Sequence, residues 1–401
     1  MLTLKKYKDF VDKDYFDRIN ELARPLKDKH VVHISSTYHG GGVAEMLSSL
    51  VPLMNCTGMH TGWRLLKGNP DFFGITKKFH NALQGEKINF SKRKRAMYEE
   101  INKNNSVFTH LNHHDCVIVH DPQPLAIINN YHKRQPWIWR CHIDLSNPDK
   151  EVWNYLNQFV TKYDRVIISK DTFKRKNNVP QTVVYPAIDP LNTKHEEISL
   201  TRAKMFVKKF GIELNKPIIS QISRFDKWKD PLGVIKAFRK IRKEVDCKLV
   251  LLGSMATDDP EGQKVYHEVI EQVKNDKDIH VINYSNDFLV NSLQRVSSVV
   301  IQKSLREGFG LTVSEALWKK TPVVASNVGG IHLQIKNGYN GYLINSIDSC
   351  ASSVIKILKN PELGKKMGER GREMVREKFL ITRQLEDYLK ILRQQIIHYK
   401  V

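Results

Sequence analysis

The strongest constraint on this chain is a rhythm: short apolar runs rich in β-branched residues alternate with helical patterns, and the alternation occurs twice. The first series holds His30-Val31-Val32-His33-Ile34, Gly62 to Leu66, Cys116-Val117-Ile118-Val119-His120, Trp137-Ile138-Trp139-Arg140-Cys141-His142 and Arg165-Val166-Ile167-Ile168-Ser169, with helical stretches such as Val43 to Met54 between them. The second holds Pro217 to Ile222, Lys248 to Gly253, Ile279 to Ile282, Ser298 to Ile301 and Pro322 to Ala325. Strands separated by helices predict parallel sheets. Between the series, Val183-Val184-Tyr185-Pro186-Ala187-Ile188-Asp189-Pro190 is punctuated by two prolines and followed by a polar stretch, which places a hinge near 186–200. The expected fold class is α/β, with two Rossmann-like doubly wound domains at 1–190 and 191–380. A closing helix within 381–401, patterned from Leu380 to His398, is expected to cross back to the first domain. Such sheets bind ligands outside the carboxyl ends of their strands, so two facing domains would share a cleft.

At 401 residues the chain has material for two cores, and no stretch approaches the roughly 20 apolar residues of a membrane span. The opening MLTLKKYKDFVDKDYF lacks the apolar region of a signal peptide, so a cytoplasmic protein without a membrane partner is expected. Five scattered cysteines with no CxxC pair suggest neither a disulfide framework nor a thiolate metal site. A net charge of +21 fits nucleic acid, a phosphate-bearing small ligand or a heavily charged solvated surface. The densest basic run, Ser91-Lys92-Arg93-Lys94-Arg95, opens a helical pattern without interleaved aromatics, so it reads as an exposed helix start and no nucleic-acid partner is expected.

Three blocks carry candidate chemistry. His39-Gly40-Gly41-Gly42-Val43-Ala44-Glu45 follows the first strand and opens a helix, where glycines admit an anion to unpaired N–H groups; the block is neither GxGxxG nor a Walker motif, and a tight turn reads equally well. Ser223-Arg224-Phe225-Asp226-Lys227-Trp228-Lys229-Asp230-Pro231 ends the first strand of the second series, where Arg224 and Lys229 together can neutralise a diphosphate; an isolated pair of that kind reads as solvated surface cations. Arg306-Glu307-Gly308-Phe309-Gly310-Leu311-Thr312-Val313-Ser314-Glu315 joins a strand to a helix, placing two carboxylates beside backbone N–H groups.

Arg224 with Lys229, followed by Glu307 and Glu315 with seven residues between them, resembles the retaining nucleotide-sugar glycosyltransferases of the GT-B fold. More narrowly, Gly40 to Glu45, Thr76 to Gly85, His120-Asp121-Pro122-Gln123-Pro124, Trp139 to Asp144 and Arg306 to Val313 resemble the trehalose glycosyltransferring synthases of glycosyltransferase family 4. The retaining trehalose phosphorylases share much of this pattern. The resemblance implies a nucleotide-sugar domain at 191–380, an acceptor-side domain at 1–190, and Arg224 and Lys229 on the diphosphate of a UDP-, ADP- or GDP-glucose. It implies Gly41 and Gly42 near that diphosphate and Glu307 on the glucose hydroxyls. Gly308, Phe309, Gly310 and Leu311 would supply N–H groups, and Glu315 would take the ribose. His142 would lean on the reacting sugar, with Asp121, Gln123 and Asp144 on the side of the glucose acceptor. Trehalose is the implied product, made by a front-face route with no cofactor and no metal, and the resemblance admits a homodimer.

Two other constellations offer chemistry of a different kind. His110, His113, His114 and His120 with Asp115 and Asp121 offer metal-ligand chemistry, but lack helical His-x3-His spacing. Cys141 beside His142 offers a nucleophile and a base, but strand neighbours point to opposite faces, so Cys141 reads as core.

Overall fold

The computed structural model describes residues 3–38, 41–254, 262–274 and 276–399. They form two compact units, Met1–Pro186 with Ile381–Val401, and Ala187–Leu380. The first unit runs α1 (Tyr15–Ala23), β1 (His30–Ser35), α2 (Gly42–Asn55), β2 (His60–Leu65), α3 (Pro70–Leu83), α4 (Lys92–Thr109), β3 (Cys116–His120), β4 (Trp137–Arg140), α5 (Lys150–Val160), β5 (Arg165–Ile168) and β6 (Gln181–Val183). The second runs α6 (Leu200–Lys208), β7 (Ile218–Ile222), α7 (Pro231–Ile241), β8 (Lys248–Gly253), α8 (Gly262–Val273), β9 (Ile279–Asn283), α9 (Asp287–Val296), β10 (Val299–Gln302), α10 (Leu311–Trp318), β11 (Val323–Ser326), α11 (Ile331–Gln334), β12 (Gly341–Ile344), α12 (Ile347–Lys359) and α13 (Pro361–Lys378). The chain then returns to the first unit as α14 (Ile381–Ile397).

Each unit holds a six-stranded sheet, ordered β2-β1-β3-β4-β5-β6 and β12-β11-β10-β7-β8-β9, and every strand pairing within them is parallel. The strand order reverses beside β1 in the first sheet and beside β7 in the second. The crevices between the carboxyl ends of β1 and β3, and of β7 and β10, are therefore the two topological switch points, where adjacent loops diverge.

Strand alternation divides the first unit's interior into two layers. Val32, Ile34, Val117, Val119, Trp137, Trp139, Cys141, Val166 and Ile168 belong to one large apolar cluster, with residues from α3 to α5. Alternate positions of the same strands, His33, His120 and Arg140, face the other layer and are buried there too. On α14, Ile381, Leu385, Tyr388, Leu389 and Leu392 repeat at helical spacing and are buried as the helix packs on α1 and α2. The edge strands β6 and β12 were not singled out by the sequence pattern. Both are short and only partly covered, so their apolar signal is weak. Among the described residues, no helix is long and apolar enough to cross a membrane.

Candidate active site

The switch point of the second unit gathers its charged residues through two loops. Beyond β7, the Asp226 carboxylate accepts the Trp228 N–H at 2.8 Å. Asp230, at φ 48°, caps α7 by accepting the Gly233 N–H at 3.0 Å. Between these two anchors the Lys229 ammonium reaches Glu307 Oε2 at 2.5 Å, while Gln221 Nε2 donates to the Lys229 carbonyl at 2.7 Å. The loop after β10 is tied to the first loop by the Leu305 N–H, which donates to the Trp228 carbonyl at 2.7 Å. Glu307 Oε2 also accepts from Gln302 Nε2 at 3.2 Å and Ser304 Oγ at 3.1 Å. Three donors thus converge on one carboxylate oxygen. Arg224 is 29% exposed, with Nη2 3.7 Å from Asp226 Oδ2, so its guanidinium stands at the rim of the same loop pair.

Gly308 and Phe309 lead to Gly310, which adopts φ 82° as the N-cap of α10. A glycine N-cap contributes no side chain, and the N–H groups opening the helix at Leu311 carry the positive end of its dipole. This loop keeps its course because a second one lies against its backbone. A Cβ added at Gly329, itself at φ +52°, would fall 1.6 Å from the Glu307 carbonyl oxygen. The Gly330 N–H donates to the Gly308 carbonyl at 3.1 Å.

Glu315, one turn into α10, is 2% exposed. Its Oε1 pairs with Lys194 Nζ at 3.0 Å and its Oε2 accepts from Gln294 Nε2 at 3.1 Å. Burial works to raise its pKa, but Lys194, His195 and Lys319 outweigh that and hold the carboxyl lowered to about 2. Both oxygens are committed in this arrangement, so contact with a further hydroxyl requires Lys194 or Gln294 to give way.

In the first unit, the glycine block begins outside the described residues at His39 and Gly40. Gly41 is the N-cap of α2 in extended backbone, without a side-chain cap, and Gly42 is its first residue. A Cβ on Gly41 would meet nothing within 4 Å. Across the switch point, Asp121 stands at φ 61°, and its Oδ1 accepts the His142 N–H at 2.7 Å. A left-handed conformation is costly for a residue with a Cβ, and here it lets the turn after β3 clamp the chain leaving β4. The half-buried His142 ring places Nε2 3.0 Å from His120 Nδ1. Gln123 turns its carbonyl to Asn102 Nδ2 at 3.1 Å, while its own Oε1 is buried without a partner among the described residues. Asp144 is buried, with Oδ1 accepting the Ser146 N–H at 2.8 Å.

The histidines weighed as metal ligands do not converge. His110, His113, His114 and Asp115 precede β3, and the Asp115 oxygens are bound to Lys29 Nζ and the His30 N–H. His120 ends the same strand, some 13 Å further along at ~3.3 Å per residue. It bonds to His33 and His142 instead. Cys141 lies in the apolar cluster, on the face opposite His142, and burial pushes its thiol pKa up. The polar partners Lys194, Gln294, Gln302, Ser304 and His33, and the close-packed Gly329, are not marked in the sequence, because each is distant from the motif it serves or carries no motif of its own. Only the strand parity shared by His33 and His120 was available as a signal.

Known proteins match the chain along both units. Residues 33–175 match the family described as trehalose synthase, N-terminal domain, and residues 204–374 match glycosyl transferases group 1. The chain is 42% identical over 398 residues to the trehalose synthase of Pyrococcus horikoshii, covering 97% of this chain and 95% of that one. It is 27% identical to the trehalose phosphorylase of Pleurotus pulmonarius, covering 93% of this chain but 58% of the longer relative. The HepE protein of Anabaena, solved in complex with UDP-glucose, shares the fold with a TM-score of 0.70 at 16% identity, over 91% of this chain and all of the other. Two parallel sheets, paired loops at each switch point and end-to-end similarity at this level establish that the chain belongs to the trehalose synthase family of GT-B glycosyltransferases.

Proposed function

We propose that this glycosyltransferase makes trehalose from a nucleoside diphosphate glucose and glucose, with retention at the donor's anomeric carbon and in a reversible reaction. The observation that carries this reading is the convergence of Lys229 and Glu307 beside the glycine-capped start of α10. A cation, a carboxylate and helix-end N–H groups suit a sugar diphosphate, whose charge lies next to hydroxyls. In this reading Arg224 and Lys229 take the diphosphate. Glu307 holds glucose hydroxyls through Oε1, since Oε2 is already committed, and Gly308, Phe309, Gly310 and Leu311 add backbone donors. Glu315 receives the ribose when Lys194 yields. Gly41 and Gly42 approach the diphosphate, His142 contacts the transferred sugar, and Asp121, Gln123 and Asp144 stand on the acceptor side.

The chemistry then needs little beyond electrostatics. The bond between the donor's anomeric carbon and the diphosphate oxygen breaks, and the two cations stabilise the charge gathering on that oxygen. The acceptor's anomeric hydroxyl forms the new C–O bond on the same face and passes its proton to the departing diphosphate. With two side-chain cations and helix-end N–H groups on the leaving group, the reaction should survive EDTA and respond little to added Mg²⁺. Loss of activity on chelation, restored by one divalent ion, would overturn this account.

Phosphorolysis is the second reading, favoured by the similarity to the Pleurotus enzyme. Incubation of the protein with glucose and each of UDP-, ADP- and GDP-glucose, against glucose 1-phosphate, separates the two. Trehalose formed with release of a nucleoside diphosphate supports the synthase. Preferential use of glucose 1-phosphate with release of inorganic phosphate assigns the phosphorylase.

A further inference from the structure

Three imidazoles, His33 and His120 buried and His142 half-buried, stand in a row across adjacent strands of the first unit. His33 on β1 places Nδ1 2.9 Å from Nε2 of His120 on β3, and His120 places Nδ1 3.0 Å from Nε2 of His142, just beyond β4. The His120 and His142 rings are stacked, with centroids 5.3 Å apart and planes 13° from parallel. At the inner end, His33 Nε2 is buried without a hydrogen-bond partner among the described residues, with the Tyr388 ring of α14 at 6.2 Å. At the outer end only the half-buried His142 ring, with its Nδ1 uncommitted to the row, approaches the surface.

The proton count in such a row is restrictive. A neutral imidazole carries one N–H and one lone pair, and each N···N contact needs one of each. Three neutral rings sharing two contacts therefore have two arrangements. In one, the terminal proton sits on His33 Nε2 and His142 Nδ1 is bare; in the other, His33 Nε2 is bare and His142 Nδ1 carries the proton. The first buries an N–H with nothing to accept it, the rarer of the two defects in folded proteins, while the second delivers the N–H to the one ring that approaches the surface.

We infer that His33 and His120 are positioning residues that fix His142 in its Nδ1–H tautomer, so that it presents a neutral hydrogen-bond donor to an oxygen of the transferred sugar. This rests on the proposed glucosyl transfer for the identity of the oxygen, but not for the tautomer. Burial keeps all three rings uncharged, lowering His33 to about 3 and His120 and His142 well below the ordinary histidine value. The charged and titratable groups facing the row act in the same sense or weakly. Arg140 of β4 opposes protonation of His120 and His142. Asp121 is bonded to the His142 backbone, and Tyr388 stays protonated beside His33.

Nitrogen-15 NMR of histidine-labelled protein, with His142 identified through His142→Gln, reads the tautomer directly. The expected spectrum has His142 protonated at Nδ1, bare at Nε2 and unchanged between pH 8 and 6. A bare Nδ1, or a cationic ring at pH 7, overturns the inference. In kinetics, His33→Phe, two rings away from His142, should mix the tautomers and lower kcat about tenfold with donor KM unchanged. His33→Asn, whose amide N–H can donate to His120 Nε2, should recover most of that loss. An unchanged kcat in His33→Phe denies the row its positioning role. The expected spectrum in a protein that transfers no glucose would uphold the row and refute the proposed function.

Discussion

Glu307 shows how a single side chain is prepared by its neighbours. Lys229, Gln302 and Ser304 all address Oε2, which restrains the carboxylate, and in the proposed reading Oε1 is the oxygen that meets the glucose hydroxyls. Replacing Glu307 by Gln removes the charge-assisted contact with Lys229, worth about 1.5–3 kcal/mol, so kcat/KM should fall roughly tenfold or more while folding persists. Arg224→Ala and Lys229→Ala should each cost a similar factor, and steady-state rates with nucleotide sugar check all three. A folded double variant turning over at the wild-type rate would remove both cations from the proposed role. The buried histidines predict a pH dependence of stability. Their pKa values are lower in the folded protein than the ordinary 6.5, so the unfolded chain binds more protons below that pH. Stability should therefore be complete above pH 6.5 and fall as the pH drops toward about 3, with a slope of up to about 1.4 kcal/mol per pH unit for each histidine. Urea unfolding at pH 7.5, 6 and 5 measures this, and a flat profile would mean the rings are protonated in place.

At the scale of elements, two glycines make opposite predictions. Gly329 lets one loop lie on the backbone of another, and the Cβ of Gly329→Ala would collide with the Glu307 carbonyl in a backbone conformation already unfavourable to alanine. The variant should lose about 1–3 kcal/mol of stability and most of its activity, because the whole Glu307 to Gly310 turn must move. Gly41, by contrast, is extended and has open space where a Cβ would stand. Gly41→Ala should leave Tm almost unchanged and raise the donor KM, and a melting curve beside a kinetic titration separates the two cases. Gly41 was legible in the sequence, since a glycine block between strand and helix is a local feature. Gly329 was not, because its constraint is a contact with a loop some twenty residues earlier. The same contrast separates the Glu307 to Glu315 spacing, visible along one strand-loop-helix unit, from the Lys194 and Gln294 contacts that occupy Glu315.

For the whole molecule, the instructive segment is α14, which leaves the second unit and completes the first. Ile381, Leu385, Tyr388, Leu389 and Leu392 are buried there, at roughly 1.5–3 kcal/mol for each large apolar side chain as an upper range. A chain ending at Leu380 should therefore lose the first unit's cooperative fold while the second unit persists. Hydrogen exchange should show rapid exchange in β1 and β3 but continued protection in β7 and β8; equal protection in all four would refute the dependence. The sequence by itself determined the class of sheet, the two series of strands, the return of a closing helix and the loops that bear the charged motifs. These follow from patterns of a few residues, where strand parity, helical spacing and glycine or proline leave a local mark. Only the tertiary structure decided which side chains meet: Lys229 with Glu307, Lys194 with Glu315, and His33 with His120 and His142. Parallel sheets are the physical reason, because they set strands distant in sequence side by side, and no pattern along the chain records which residues end in register at their carboxyl ends.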